Sequence, residues 1–130
     1  MALSLIWESD LNFHAGPGGP AMALASSDPE RVSPMQALAY AIMGCMAMDV
    51  VHILQKGRHD LKGLTVDFAS ERNEHPPKYY TKVLLTFNIT GAIPTDAVER
   101  AIALSHEKYC SVSNTLRKDL IFETRVNVSA

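Results

Sequence analysis

The segment that most constrains this chain lies between Met35 and Met48, where a helical pattern is apolar on nearly every side. Ser33-Pro34-Met35-Gln36 reads as its start, with Ser33 at the N-cap, Pro34 in the first helical position and Gln36 closing a capping box. The pattern continues to Lys56, and Gly57 follows as a natural C′ residue. A helix without a polar face is buried all round rather than laid on a surface. In a single domain of 130 residues, spanning 1–130, that implies a central helix wrapped by sheet or by a partner subunit.

The rest of the chain supplies strands. Leu3, Leu5 and Trp7 alternate with Ser4 and Glu8, which predicts an opening strand. Gly16 to Pro20 reads as a loop, Ala21 to Ala25 as a short strand, and Ser26 to Val32 as an exposed polar segment. Leu64, Val66 and Phe68 alternate with Thr65 and Asp67, and Val83, Leu85, Phe87 and Ile89 alternate with Lys82, Thr86 and Asn88. These two strands, joined by the polar Arg72 to Lys78 segment, are expected to form a hairpin with one solvated face. Pro94-Thr95-Asp96 opens a second helix with Val98, Ile102, Ser105 and Tyr109 along one face. Ser111-Val112-Ser113 reads as a break and a fresh N-cap, with a short helix over Asn114 to Lys118. Ile121 to Val128 alternates again as a closing strand. Strands flank helices without regular βαβ alternation, so the expected class is α+β.

Charge and composition narrow the function. The formal net charge is −2 with scattered Lys and Arg, which gives no nucleic-acid footprint and no polybasic membrane patch. The opening Met1-Ala2-Leu3-Ser4-Leu5 lacks the basic start of a secretory signal. The apolar run from Ala37 to Ala47 is too short to span a bilayer and is followed by Asp49 and His52. A cytoplasmic location is expected, where two cysteines far apart in sequence are thiols or redox partners rather than a structural staple.

Cys45 sits about three turns into the apolar helix, beyond reach of its dipole, and by its position alone reads first as a small core hydrophobe. Cys110 lies just before a new helix start, where orphan backbone N–H groups and the positive dipole end favour a thiolate.

Ser33-Pro34-Met35-Gln36-Ala37-Leu38, followed by Met43-Gly44-Cys45 and Asp49-Val50-Val51, resembles the first signature of the OsmC/Ohr superfamily. His106 to Leu116, with Cys110-Ser111-Val112-Ser113, resembles its second. The element order is similar along nearly the whole chain. The resemblance implies an OsmC-like fold, with a long central helix wrapped by antiparallel sheet in an intertwined homodimer. It also implies that Cys45 and Cys110 meet. Cys45 would attack a peroxide and become a sulfenic acid, Cys110 would resolve it to a disulfide, and an external thiol would reduce that. No cofactor is required.

Peroxidatic members use an early arginine and a glutamate just after the proline that opens the central helix. Here Met35 and then Gln36 follow Pro34, and no arginine precedes Arg31. Arg31 is therefore the candidate thiolate stabiliser and Gln36 a candidate polar group of the same site, against the plainer readings of a solvated loop charge and a helix cap. A metal site from Cys45, Asp49, His52, His106 and Cys110 is a competing constellation, but no short metal-binding motif supports it. The Met-rich helix, with Met35, Met43, Met46 and Met48, reads as adaptable core or as the wall of an apolar pocket. The expected function is a thiol-dependent peroxidase or related thiol redox protein acting on organic or hydrogen peroxides. The alternative is a non-enzymatic dimeric binding protein on the same fold.

Overall fold

The computed structural model describes residues 2–130 and divides them into two compact units, one ending at Tyr40 and the other running Ala41–Ala130.

The first unit contains a sheet of three strands in the order β1-β2-β3, with β1 Leu5–Ser9, β2 Asn12–Ala15 and β3 Ala23–Ala25, all antiparallel. Strand β2 was not legible in the sequence. Asn12, Phe13, His14 and Ala15 alternate polar and apolar over only four residues, and the strand is held by partners on both edges, with Phe13 opposite both Trp7 and Leu24. Asp10 makes the β1–β2 turn at φ 48, and its carbonyl accepts a 2.8 Å hydrogen bond from Trp7 Nε1. Every residue of β1 is exposed.

Helix α1 spans Pro34–Lys56. The capping box forms as its residues predict: Gln36 N–H donates to Ser33 Oγ at 3.2 Å, and Ser33 N–H donates to Gln36 Oε1 at 2.9 Å. The other end differs by one residue. Arg58, not Gly57, takes the left-handed conformation, at φ 62. Its N–H reaches Gln55 O at 3.0 Å and that of His59 reaches Leu54 O at 3.0 Å, so the chain closes in a Schellman turn with Arg58 at C′.

In the second unit, Ile42, Met46, Val50 and Leu54 line one stripe of α1 at 0–1% exposure, each worth roughly 1.5–3 kcal/mol of burial. Of the described residues on the opposite face of α1, Tyr40 is 64% and Met48 74% exposed. The all-round burial expected for the helix is therefore not reached within one chain. At 23 residues α1 is long and apolar enough to cross a membrane by length and composition alone. The core helix of a globular protein passes the same test, and here the stripe Ile42, Met46, Val50 and Leu54 is buried.

The second sheet has the order β4-β5-β6, with β4 Gly63–Arg72, β5 Tyr80–Thr90 and β6 Ile121–Ser129. The expected β4–β5 hairpin forms, with Val66 opposite Phe87. Val83, Leu85, Phe87 and Ile89 are buried, whereas a polar row crosses the other face: Asn88 Nδ2 donates to Asp67 Oδ2 at 2.9 Å, and Asn127 Nδ2 to Asn88 Oδ1 at 3.0 Å. Strand β6 departs from the antiparallel expectation and runs parallel to β5, because helix α2, Thr95–Leu104, carries the chain back before it enters the sheet. Gly91 makes the exit from β5 at φ 142, where a Cβ would strike the Asp60 carbonyl oxygen.

Candidate functional site

The second cysteine is positioned by a local departure from α-helical geometry. In a continuous α-helix, Tyr109 would follow Ser105 on the buried face at i+4. Instead Ser105–Tyr109 forms a π turn, closed by a 2.7 Å bond from Cys110 N–H to Ser105 O. The additional residue rotates the face by one position. Cys110 is fully buried and Tyr109 is 59% exposed. Such single-turn π insertions recur at functional sites.

After Cys110 the expected short helix shrinks to a 3₁₀ turn, Ser113–Thr115, with no side-chain cap. The thiol takes that role, since Ser113 N–H donates to Cys110 Sγ at 3.3 Å. The Cys110 carbonyl is held in turn by Asn114 Nδ2 at 2.8 Å and Ser113 Oγ at 3.3 Å.

Cys45 and Cys110 are both free and lie close to each other. The pair is asymmetric: Cys45 is half-buried and Cys110 is buried. Burial pushes the Cys110 thiol above its ordinary pKa, and the neighbouring Cys45 adds to the rise, against the opposing pull of the Ser113 hydrogen bond. The dipole argument from sequence, which made Cys110 the acidic thiol, is outweighed by desolvation.

A second link joins the same two segments. Ser105 Oγ donates to Asp49 Oδ2 at 2.8 Å, tying the helical turn after Cys45 to the start of the π turn before Cys110. Sequence reasoning placed Asp49 only among possible metal ligands and Ser105 only on a helix face. A serine within the buried row Val98, Ala101, Ile102 was the available signal, because a buried hydroxyl requires a partner. An open cavity of about 660 Å³ adjoins this region, lined by Asp49, His52, Ile53, Lys56, Gly57, Leu104 and Tyr109. None of the four helix methionines lines it, and Met46 is instead core at 0% exposure.

The metal constellation is not assembled: among the described residues no three His, Cys, Asp or Glu side chains converge to hold an ion. His106 stacks on Phe122 at 4.5 Å, and its Nδ1 is buried without a hydrogen-bond partner. Arg31 and Gln36 belong to the first unit. Gln36 serves the capping box. Arg31 holds Glu8, Nη1 to Oε2 at 2.8 Å and Nη2 to Oε1 at 3.3 Å, and also donates to the Phe13 carbonyl at 3.3 Å. Its guanidinium holds the Glu8 carboxyl below its usual range, with His14 contributing at 3.0 Å.

The fold and the paired thiols define an OsmC-type protein, and the chain belongs to the OsmC-like protein family, which matches residues 27–125. It is 42% identical over 115 residues to Protein YhfA of Escherichia coli strain K12, covering 86% of each chain. Its structure is similar to that of a hypothetical protein from Aquifex aeolicus, with a TM-score of 0.90, 26% identity and coverage of 98% and 95% of the two chains. The fold is also shared with an organic hydroperoxide resistance protein OsmC from Legionella pneumophila, at a TM-score of 0.70, 20% identity and coverage of 100% and 98%.

Proposed function

We propose that this protein is a thiol-dependent peroxidase, or a closely related thiol redox protein, that reduces organic or hydrogen peroxides through Cys45 and Cys110. The observation that carries this reading is the asymmetric contact of two free thiols, one half-buried and one buried. The organic hydroperoxide resistance proteins that share the fold support it.

The Cys45 thiolate attacks the terminal peroxide oxygen, the O–O bond breaks, and the leaving alkoxide takes a proton to become an alcohol. Cys45 is left as a sulfenic acid. The Cys110 sulfur then attacks Cys45, water departs, and a disulfide closes. An external thiol reductant, two equivalents per turnover, restores both cysteines. Arg31 serves as the thiolate-stabilising cation and Gln36 as a polar group of the same site. Arg31 is ion-paired with Glu8, Nη1 to Oε2 at 2.8 Å, which supports a guanidinium held in one place. The working form is a cytoplasmic homodimer in which a second copy covers the exposed face of α1.

The test is peroxide-driven loss of free thiols, followed with hydrogen peroxide and with a bulky organic hydroperoxide. Cys45→Ser abolishes peroxide consumption. Oxidation of neither thiol faster than that of free cysteine would overturn the reading. The non-enzymatic reading, a dimeric protein that binds an apolar ligand, would then lead. It is favoured by the Met35-Gln36 pair, which leaves no carboxylate after Pro34.

A further inference from the structure

Four positions form a closed path through the thiol site. Asp49 follows Cys45 by one helical turn on the same face of α1. Its carboxylate accepts the Ser105 hydroxyl at 2.8 Å. Ser105 is fully buried, and its carbonyl accepts the Cys110 N–H at 2.7 Å, the bond that closes the π turn. The two cysteines, which lie close together, complete the path. A hydrogen bond to a charged, partly buried acceptor is among the stronger ones a fold can make. Ser105 continues the buried row Val98, Ala101 and Ile102 into the π turn and is its one polar member.

We propose that Asp49 and Ser105 are positioning residues of the thiol pair: their hydrogen bond fixes the π turn against α1 and so sets the approach of Cys110 to Cys45. This rests on the redox reading of the two cysteines but not on peroxide as oxidant. Attack on an outside electrophile needs only Cys45. Disulfide closure needs the separation and alignment of both sulfurs, so the bond acts on closure alone. A displacement of about 1 Å at a reacting centre costs on the order of 100-fold, and loss of one tether allows only part of that.

Closure can be isolated with an aromatic disulfide, dithiobis(nitrobenzoate). The Cys45 thiolate, its proton lost to solvent, attacks one reagent sulfur, releases one thionitrobenzoate and keeps the other as a mixed disulfide. Cys110, deprotonated to solvent, attacks the Cys45 sulfur, forms the protein disulfide and expels the second thionitrobenzoate. Two protein thiols are oxidised and one reagent disulfide is reduced. In Ser105→Ala and Asp49→Ala the second release slows about tenfold while the first keeps its wild-type rate. The double variant is no slower than either single one, because both remove the same bond. Asp49→Asn, which keeps an acceptor oxygen for the Ser105 hydroxyl, stays near wild type. This last variant also decides the matter if Ser105→Ala does not fold.

Second releases within about twofold of wild type in the alanine variants, or additive losses in the double variant, would overturn the proposal. So would an Asp49→Asn protein as slow as Asp49→Ala. A first release that accelerates in step would also do so, because it marks general loosening rather than positioning. A wild-type protein that consumes no peroxide sinks the peroxidase reading and leaves this two-step release to be measured.

Discussion

The sulfur of Cys110 accepts the backbone N–H of Ser113 at 3.3 Å, yet the thiol is held protonated more firmly than an ordinary cysteine. Both facts follow from the same turn. The N–H donor stabilises a thiolate, but the burial that brings sulfur and donor together removes the water that would stabilise it better. A buried, protonated thiol suits a group that acts second, after Cys45 has met the oxidant.

The roles are therefore separable. Cys110→Ser leaves the first oxidation intact and traps a sulfenic acid on Cys45, because no resolving thiol remains. Mass spectrometry after a brief pulse of organic hydroperoxide reads this directly. Sulfenic acid on Cys110 in Cys45→Ser, with none on Cys45 in Cys110→Ser, would reverse the assignment.

The raised Cys110 pKa has a consequence for stability. A thiol whose folded-state value exceeds its unfolded value contributes stability that is complete below the unfolded value, about 8.5, and is lost as pH rises through the folded value. The reduced protein should lose resistance to urea as pH rises above about 8.5, and Cys110→Ala should flatten that slope. Tyr80, also raised by burial, adds a slope of the same sign, so the difference between the two proteins is the readout. Equal slopes would remove the assignment.

Arg31 is engaged by Glu8, which positions its guanidinium without neutralising its donor capacity, since the fork carries five N–H groups. If it also serves the thiolate, Arg31→Ala slows alkylation of Cys45 by iodoacetamide severalfold at neutral pH. An unchanged alkylation rate would return Arg31 to its loop contacts with Glu8 and Phe13.

Gly44 offers a test of the homodimer. Beyond its chain neighbours and its own helix backbone, a Cβ built there meets no atom of the described residues within 4 Å, and it lies on the α1 face that also carries exposed Tyr40 and Met48. No contact among the described residues requires a glycine there, which costs about 1 kcal/mol in a helix interior. A partner helix approaching closely in the proposed homodimer would. Gly44→Leu should yield a folded monomer by light scattering, where wild type is a dimer at micromolar concentration. A dimeric variant, or a monomeric wild type, contradicts the interface.

Local features were legible because they depend on near neighbours. The capping box at Ser33 and Gln36 and the alternation of β4 and β5 are contacts or periodicities within a few residues, and sequence displays them. Where two local solutions compete, sequence missed by one position. Gly57 was the cheaper left-handed residue, but Arg58 occupies that conformation while Leu54 completes the buried stripe. Strand β2 was missed because its alternation spans only four residues, and partners on both edges complete it.

The sequence by itself determined the α+β class, the long capped helix, the family resemblance and the two cysteines as the residues to watch. The tertiary structure alone decided which thiol is buried, that β6 runs parallel to β5, and that Asp49 meets Ser105 across 56 residues of chain. The reason is the π turn. Its additional residue is not encoded in any periodicity of Ser105 to Tyr109, and it exchanges Tyr109 for Cys110 on the buried face only once the helix packs.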